Sequence, residues 1–419
     1  MEQSIERVGR MLSAINKVGH TKNGQQRIAY TAEEDRVFEV VADWCKELSM
    51  TVRMDQAGNL IARRKGRQDD LPAIAIGSHL DTVYTGGGFD GTIGVIAGVE
   101  IIHRLNEAHV ETEHPIEVIA FRAEESSRFG VATIGSKAMA GTFDTERLQH
   151  VKDRDGVTLK EALQQKGLHV ETMNESKRTR EELQAFFEMH IEQGPELEQA
   201  KKPVAIASAI AAPTRLSIDI MGKYAHSGTT AMDKRKDALV VASHLILAVE
   251  SFAKTEASLG TIGTVGIVDV DNGAMNVVPG HVTLKVDIRG INVASIKRVV
   301  EAVYEKAEKL ASDQKVAIEV EVISEEAPVP LSERLQHTLK QAAGSVGIAP
   351  ITIPSGAGHD AMNLAAFTDS ALLFIPSRDG VSHHPEEYSS MQDIVCGIDV
   401  LEEAVKQEAV AHTKELNSP

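Results

Sequence analysis

The 419-residue sequence contains only two cysteines, Cys45 and Cys396, and they stand far apart in the chain. Two such residues supply neither a disulfide framework nor a paired-cysteine metal site. Any metal ion bound by this chain must therefore use histidine and carboxylate ligands.

Positive charge is also scarce, because 44 Lys and Arg face 61 Asp and Glu, which gives a formal net charge of −17. Nucleic-acid binding needs a basic face. The longest basic cluster, RRKGR at 63–67, stands in an apparent turn and is interpreted as a solvated loop. The charge balance therefore argues against a nucleic-acid partner.

Long apolar runs are missing as well, since none approaches the roughly 20 residues of a transmembrane helix. The N-terminal stretch MEQSIERVGRMLSAINKVG is amphipathic and charged, unlike a secretory signal. We expect a cytoplasmic protein with no membrane partner. The chain length suggests two or three domains.

Residues 30 to 205 alternate helix-like and strand-like segments. TAEEDRVFEVVADWCKEL and GVIAGVEIIHRLNEA have helical patterns, whereas AIAIGSH and IEVIAF read as buried strands. This alternation predicts an α/β domain around a largely parallel sheet.

The order of elements changes from about Leu216. A strand, a helix, two strands, a helix and a strand follow up to about Glu325, and β-α-β-β-α-β is the ferredoxin-like pattern. The helix SERLQHTLKQAAGSVG and the strand ALLFIP then resume the earlier alternation of helix and strand. We therefore predict one domain built from residues 1–215 and 326–419, with residues 216–325 inserted as an α+β domain.

Five separated stretches place a residue able to bind metal at a strand end or in a Gly-rich turn. They are GSHLDTV with His79 and Asp81, GGGFDG with Asp90, AEESSRFG with Glu124 and Glu125, EMHIEQG with His190, and GVSHHPEE with His383 and His384. Each motif alone is a weak signal, because a single histidine at a strand end is more often structural. Together they predict a mixed His/carboxylate site at the end of an α/β sheet, suited to Zn²⁺, Mn²⁺, Co²⁺ or Ni²⁺.

The stretch FRAEESSRFG sets Glu124 and Glu125 side by side after a buried strand. Repulsion and desolvation oppose this arrangement unless positive charge is nearby. Adjacent residues in an extended segment point to opposite sides. One carboxylate can therefore bind a metal ion while its neighbour handles protons.

A dinucleotide site is a weaker hypothesis for GGGFDG, which matches G-x-G-x-x-G at Gly86, Gly88 and Gly91. Roughly ten residues separate the match from the strand that should come directly before it. The motif therefore fails its structural context.

A serine nucleophile is a second weaker hypothesis, since PSGAGHDAM contains Ser355, His359 and Asp360. The members of a catalytic triad meet in space and are rarely neighbours in sequence. No G-x-S-x-G, P-loop or HExxH motif occurs in the chain. A structural or substrate-loop role is favoured for this segment.

Nine ordered motifs, from about residue 20 to 410, resemble one known family. They are GSHLDTV, GGxFDG, AEExSRFG, HIEQGPELE, AHSGTTAM, NVVPG, DIRG, SGAGHDAM and GVSHHPEE. The family is the dinuclear metal amidohydrolases of the M20 peptidase superfamily, in the hydantoinase/carbamoylase branch. That branch holds N-carbamoyl-L-amino acid hydrolases, β-ureidopropionases and allantoate amidohydrolases.

The resemblance implies two divalent metal ions per subunit. His79, Asp90 and His190 would bind one ion, and Asp90 would bridge to a second ion held by Glu125 and His383. The domain built from both chain ends would then be the catalytic domain, and the insert a lid and dimerisation domain.

Further roles come with the same resemblance. Asp81 would orient His79, and Glu124 would be the general base. His226 would be an oxyanion donor that reaches across a homodimer.

Three more positions would contact the substrate in such a family, namely Gln193, Asn276 and Arg289. A guanidinium suits a substrate carboxylate because it donates two parallel hydrogen bonds. From the residues alone, Arg289 is more simply a surface charge at a strand end.

Four positions depart from the pattern of the branch. Ser126 stands where Gly is commoner, Ser227 where Ala is usual, Ala231 where Pro is usual, and His384 where a small residue is more common. Ser227 and Ala231 flank His226 and bear on its geometry. His384 is an alternative ligand ranked below His383.

The sequence therefore predicts a hydrolase of non-peptide C–N bonds that acts on a small ureido substrate. GSKAMAG at 135–141 favours cleavage of N-carbamoyl-L-amino acids to the amino acid, ammonia and carbon dioxide. Allantoate amidohydrolase or β-ureidopropionase is the alternative, followed by an N-acyl amino acid hydrolase or dipeptidase. A non-catalytic metal or amino acid sensor has no use for a general base at Glu124.

Overall fold

The computed structural model describes residues 2–410 and divides the chain into two units. The first consists of Met1–Ser208 with Pro330–Pro419, and the second of Ala209–Val329. The second unit contains the whole predicted insert and extends beyond it at both ends, because its first strand already begins at Ala212. Its role as a lid stays a prediction.

The first segment of the first unit alternates helices and strands. In chain order its elements are α1 (Glu2–Lys17), β1 (His20–Thr21), β2 (Gly24–Gln25), α2 (Ala32–Glu47), β3 (Thr51–Met54), β4 (Leu60–Arg64), β5 (Ala73–His79), α3 (Thr92–Glu107), β6 (Ile116–Phe121), α4 (Ile134–Ala140), α5 (Thr145–Leu148), α6 (Leu159–Gln165), a 3-10 helix (Val170–Ser176), β7 (Leu183–Ile191), α7 (Glu196–Ala200) and β8 (Ala205–Ile210).

The second unit is an α+β fold. Its elements are β9 (Ala212–Met221), β10 (Ala225–His226), a 3-10 helix (Met232–Lys234), α8 (Ala238–Thr255), a 3-10 helix (Ala257–Leu259), β11 (Ile262–Val270), β12 (Val277–Val278), β13 (His281–Gly290), α9 (Val293–Gln314) and β14 (Ala317–Glu325).

The last segment returns to the first unit. Its elements are β15 (Val329–Pro330), α10 (Glu333–Ser345), β16 (Ile351–Ser355), α11 (Asp360–Leu364), β17 (Asp369–Ile375), a 3-10 turn (Arg378–Gly380) and α12 (Met391–Ala409).

One nine-stranded sheet forms the centre of the first unit, in the order β15-β8-β17-β7-β5-β6-β4-β3, with β16 also paired to β8. Strands β17, β7, β5 and β6 run parallel. Strands β3 and β4 pair antiparallel at one edge, β4 is antiparallel to β6, and β8 is antiparallel to β17. The sheet is therefore mixed, and the prediction of a largely parallel sheet holds only for its four central strands.

The interpretation of the basic cluster RRKGR as a solvated loop is wrong for its first two residues, which lie on a strand. Arg63 and Arg64 lie half-buried on strand β4, which pairs with both β3 and β6. Arg63 pairs with Asp69 and Glu117, and Arg64 donates to the Asn106 side chain. The charged side chains made this strand resemble an exposed loop in the sequence. In the structure they form ion pairs and hydrogen bonds within the protein.

Helix α3 lies directly against the central strands, and this contact positions the residues that precede the helix. It is buried along almost its whole length, from Thr92 to Leu105. A Cβ atom on Gly94 would lie 2.4 Å from the carbonyl oxygen of Met189 in β7, so only glycine permits this approach. The start of α3 is thereby fixed beside the end of β7.

The second unit has a four-stranded antiparallel sheet in the order β11-β13-β9-β14, while β10 pairs with β12 separately. Every second side chain of β13 is buried. These apolar side chains form a core with α8 and α9. Apart from the short β10 and β12, the element order is the predicted β-α-β-β-α-β.

Helix α8 comes closer to membrane-spanning length than the sequence led us to expect. Its 18 residues have a mean hydropathy of 1.4 and are 39% buried. Length and composition alone are weak evidence, because a core helix passes the same test, and α8 packs Val241, Leu245 and Val249 into the core of the second unit. The cytoplasmic location stays a prediction.

Candidate metal centre

The predicted ligand loops follow the four central parallel strands. His79 ends β5, Glu124 and Glu125 come shortly after β6, His190 lies near the end of β7, and His383 follows β17. Parallel strands end at one edge of the sheet, which is where such sheets bind ligands. Hydrophobic strands of the first unit thus bring polar side chains together from distant parts of the chain.

Three of these side chains form a first group of possible ligands, namely His79, Asp90 and His190, whose ligand atoms lie within 4.8 Å of one another. The Asp90 Oδ1 atom is 3.3 Å from His79 Nε2 and 3.1 Å from His190 Nε2. All three residues are buried. The arrangement offers two imidazoles and one carboxylate to a single ion.

A second group shares the same aspartate and consists of Asp90, Glu125 and His383. His383 Nε2 is 3.3 Å from Asp90 Oδ2 and 3.2 Å from Glu125 Oε1. Each oxygen of Asp90 therefore faces a different group. This is the bridging arrangement that the family resemblance implies for a pair of ions.

The two buried imidazoles are oriented by main-chain oxygens. His79 Nδ1 lies 3.1 Å from the carbonyl oxygen of Asp81, and His190 Nδ1 lies 2.9 Å from that of Ile191. A carbonyl oxygen only accepts, so Nδ1 carries the proton in each ring and Nε2 is left as the ligand atom. Both Nε2 atoms face Asp90.

Glu124 belongs to neither group. Its Oε2 atom is 3.8 Å from His79 Nε2. Its neighbour Glu125 instead faces His383. The adjacent carboxylates thus face different groups, and the division of roles between them stays a prediction.

Asp81 holds the glutamate pair in place. Its Oδ1 atom accepts the backbone N–H of Glu124 at 3.1 Å, and its Oδ2 atom accepts that of Glu125 at 3.0 Å. Its carboxylate is 3.5 Å from His79 Nδ1, farther than its own carbonyl oxygen. The predicted orienting role at His79 thus belongs mainly to the backbone of Asp81, while its side chain fixes the two glutamates.

Negative charge is in excess at the site. Burial raises the pKa of Glu124 well above its usual value, and the Glu125 carboxylate adds to this against the effect of His79. Burial also raises the pKa of Glu125, with a contribution from Asp90. Hydrogen bonds to Asp90 and Glu125 raise the pKa of His383 to about 11. The raised pKa values show that the carboxylates lack enough positive charge nearby. A divalent cation can supply that charge in place of protons, so the site suits cation binding.

Backbone strain gathers at the same place. Ala123 (φ 53°), Gln193 (φ 58°) and His383 (φ 56°) adopt the left-handed conformation without being glycine. Such residues cost on the order of 1 kcal/mol or more each and persist where the surroundings enforce them. Each of them sits in, or directly before, a loop that carries a site residue.

Gly91 has a φ of 61°, and a Cβ atom there would lie 2.4 Å from His79 Nε2. A Gly91→Ala substitution should push the imidazole out of the first group and lower metal affinity at least about tenfold. Equilibrium dialysis with Mn²⁺ measures the effect. Gly167→Ala is the matched control, since Gly167 also has a positive φ (72°) but nothing within 4 Å; equal affinities in the two variants would contradict the prediction.

Gln193, predicted to contact substrate, bonds within the site. Its Nε2 atom donates to Asp90 Oδ2 at 2.8 Å and to Ser382 Oγ at 2.9 Å. Its Oε1 atom is buried and has no hydrogen-bond partner among residues 2–410. The amide therefore helps to fix Asp90 and also keeps an acceptor for another donor.

The other predicted substrate residues lie in the second unit. Strand β10, which contains His226, pairs with β12, and the Ser227 N–H donates to the carbonyl oxygen of Asn276. His226 and Asn276 are therefore neighbours. Arg289 lies near the end of β13 and donates to both carboxylate oxygens of Asp287 at 2.6 and 2.7 Å.

The four departures from the family pattern lie in different local environments. Ala231 has a φ of −58°, a value that proline also enforces, so the backbone keeps its course without the ring. The Ser227 carbonyl accepts from Arg235. Ser126 is exposed, and its carbonyl oxygen accepts the Gly130 N–H. His384 is exposed and belongs to neither possible ligand group found among residues 2–410.

Sequence reasoning missed Glu387 and Arg27. The Glu387 Oε1 atom accepts the backbone N–H groups of Phe89 and Asp90 at 2.8 and 3.0 Å. Burial, and then the Asp90 carboxylate, raise the pKa of Glu387 to about 7. The fully buried Arg27 donates to the Leu80 carbonyl between two site residues. Glu387 stood inside a quoted motif, but nothing in that motif set it apart from the exposed Glu386.

The serine hypothesis gains a contact but no mechanism. Ser355 Oγ lies 2.9 Å from His359 Nε2, and both residues are buried. The His359 ring packs edge-on against His190 at 4.5 Å. His359 therefore packs against His190 of the first group, in agreement with a structural role.

Comparison with known proteins gives a consistent picture. The model of the family described as peptidase family M20/M25/M40 matches residues 75–407. An N-carbamoyl-L-amino-acid amidohydrolase of Pseudomonas sp. (strain NS671) is 39% identical over 405 residues, which cover 96% of this chain and 98% of the relative. A ureidoglycolate hydrolase of Arabidopsis thaliana is 32% identical over 381 residues, covering 90% of this chain and 80% of the relative.

A similar solved structure is an amidase of the hydantoinase/carbamoylase family from Burkholderia multivorans. Its TM-score is 0.89 at 34% sequence identity, and the match covers 97% of this chain and 98% of that chain. The likeness thus extends over both units, each of which has its own core.

Proposed function

The chain belongs to peptidase family M20/M25/M40, in the branch of the hydantoinase/carbamoylase amidases, and on that premise we propose that it hydrolyses N-carbamoyl-L-amino acids. It is a hydrolase of C–N bonds, and its family is metal-dependent. The products would be the L-amino acid, ammonia and carbon dioxide. The relative at 39% identity, an N-carbamoyl-L-amino-acid amidohydrolase, supports this substrate class.

The observation that carries the proposal is Asp90, shared between two possible ligand groups beside a carboxylate that belongs to neither. We propose that two divalent ions, Zn²⁺ or Mn²⁺, Co²⁺ or Ni²⁺, bind there. Such ions act as Lewis acids on a carbonyl oxygen and make water more acidic.

The chain's own residues would handle the proton and hold the reacting groups. Glu124 would take the proton of the attacking water and return it to the leaving nitrogen. Asp81 keeps Glu124 at its place through the backbone hydrogen bond. The raised pKa of Glu124 makes its carboxylate a stronger base than an ordinary glutamate.

The substrate would be held by Gln193, Asn276 and Arg289, with His226 stabilising the developing oxyanion. Two of these residues stand at opposite ends of the second unit's sheet. His226 lies beyond the end where His281 pairs with Met221. Arg289 is eight positions after His281 on β13, which corresponds to about 26 Å along an extended strand. A small substrate spans much less than this distance, so His226 and Arg289 of one chain cannot both contact it.

We therefore propose a homodimer in which each site takes His226 from one copy and Arg289 from the other. Edge strand β11 and helix α8 expose the apolar side chains Ile262, Ile267, Leu239, Val240 and Leu247. An exposed edge with such side chains suits pairing with a second copy.

Mixing inactive variants tests this arrangement. His226→Ala and Arg289→Ala should each be inactive alone, whereas a mixture allowed to exchange subunits should recover about a quarter of wild-type activity, because half of the dimers are mixed and each holds one complete site. Ammonia release measures it. A mixture as inactive as its components would contradict the shared site.

A substrate panel tests the reaction. Enzyme reconstituted with Mn²⁺, Co²⁺, Ni²⁺ or Zn²⁺ in turn should release amino acid and ammonia from N-carbamoyl-L-amino acids faster than from allantoate, 3-ureidopropionate or N-acetyl amino acids. Faster release from allantoate or 3-ureidopropionate would favour the alternative activities. Ureidoglycolate belongs in the panel because a relative at 32% identity is a ureidoglycolate hydrolase.

A further inference from the structure

Glu387 joins two segments that are distant in sequence. Its Oε1 atom accepts the backbone N–H of Phe89 at 2.8 Å and of Asp90 at 3.0 Å, across 298 and 297 residues. The residue is 4% exposed. One carboxylate oxygen thus holds two consecutive backbone N–H groups, those of Phe89 and Asp90.

Ser382 extends this contact to the other oxygen. Its hydroxyl lies 2.9 Å from Asp90 Oδ2 and 3.3 Å from Glu387 Oε2. Ser382 directly precedes His383, so the same loop carries the partner of Asp90 in the second ligand group. Backbone and side chain of Asp90 are both tied to this loop.

The Gly-rich run that precedes Asp90 is shaped to receive the carboxylate. A Cβ atom on Gly87 would lie 2.3 Å from the Cδ and Oε1 atoms of Glu387. Any larger residue at position 87 would displace Glu387. This close approach gives the run GGGFDG a role that a dinucleotide site does not explain.

The two ligand groups depend on Glu387 to different degrees. His79 and His190 are held by strands β5 and β7 and by backbone carbonyls near them. His383 lies on a loop after β17, and its side chain is 48% exposed. The relative position of Asp90 and His383 therefore needs a separate support.

We propose that Glu387 is a positioning residue that holds the Asp90 loop against the His383 loop, and so sets the affinity of the second ligand group for its metal ion. The proposal rests on the two-ion centre proposed above. Glu387 contacts no substrate and supplies no ligand atom; it acts through the backbone of Asp90. Hydrogen-bonded partners of ligands typically change metal affinity by 10- to 100-fold when removed.

Metal titration of the purified full chain tests the proposal. Apo protein is titrated with Co²⁺ and then challenged with a chelator, and the ions bound per chain are counted. Glu387→Ala should weaken the ion of the second group by about 10- to 100-fold and affect the other ion much less. Glu387→Gln keeps an oxygen for the two N–H groups and should bind both ions nearly as wild type does.

The matched control is Glu386→Ala, which removes the neighbouring glutamate, whose side chain is 81% exposed. It should bind as wild type does. The thermal midpoint of each apo protein separates positioning from loss of fold. If Glu387→Ala does not fold, Ser382→Ala tests the same connection and should weaken the same ion.

A double variant identifies the ion concerned. With His383→Ala as background, Glu387→Ala should cause no further loss, because the group that it supports is already broken. Equal weakening of both ions, unchanged affinities in Glu387→Ala, or a Gln variant as weak as the Ala variant would each overturn the proposal. A wild-type chain that binds no metal would overturn the proposed function instead.

Discussion

A Glu124→Gln variant should keep its metal ions and lose at least about 10²-fold in turnover, because the amide cannot accept the proton of the attacking water. Glu124 lies outside both ligand groups, 3.8 Å from His79 Nε2. Its backbone N–H bonds to Asp81, and this contact is untouched by the substitution. The loss should therefore appear in kcat while metal content stays constant.

Metal analysis and steady-state kinetics on the same preparation measure both quantities. Glu47→Gln, at an exposed position on α2, is the control and should match wild type. Unchanged turnover in Glu124→Gln would remove Glu124 from the mechanism. A loss of bound metal in that variant would make Glu124 a ligand.

Asp90→Asn should have the larger effect, because it alters both ligand groups at once. Burial opposes the charged form of Asp90, yet His190, His383 and His79 together lower its pKa well below the usual value. An amide keeps the shape of the side chain but loses the charge and one ligand oxygen. Both ions should bind much more weakly, and turnover should fall by about 10³-fold, which corresponds to about 4 kcal/mol of transition-state stabilisation.

Metal content after dialysis is the direct measurement for Asp90→Asn. Asp70→Asn changes an exposed aspartate and should leave metal content and turnover as in wild type. Two ions retained per chain in Asp90→Asn would contradict a shared ligand. His79→Ala offers a narrower comparison, since it should impair the first group alone.

The ends of the central strands could be predicted from the sequence. AIAIGSH and IEVIAF are buried over their whole lengths as β5 and β6, because largely apolar runs mark strands covered on both faces. The polar residues that follow these strands carry the predicted ligands. The structure brings all five of them into two groups that share Asp90; metal binding by these groups stays a prediction.

The contacts that hold the site together could not be predicted in the same way. Asp81 and Glu387 act on backbone N–H groups, and a hydrogen bond to the backbone needs no particular residue on the donor side. Such a contact leaves no pattern in the sequence. The two arginines at the end of strand β4 were misinterpreted for another reason, since their partners lie far along the chain.

The carboxylate of Asp81 accepts two consecutive backbone N–H groups, so Glu124 and Glu125 are held by the same side chain. A shift that moves one of them moves the other by the same amount. The spacing between the proposed proton acceptor, Glu124, and the proposed ligand, Glu125, is thus set by Asp81. Residues elsewhere in the chain can therefore differ without changing the spacing of these two carboxylates, since Asp81 sets it from the end of a separate strand.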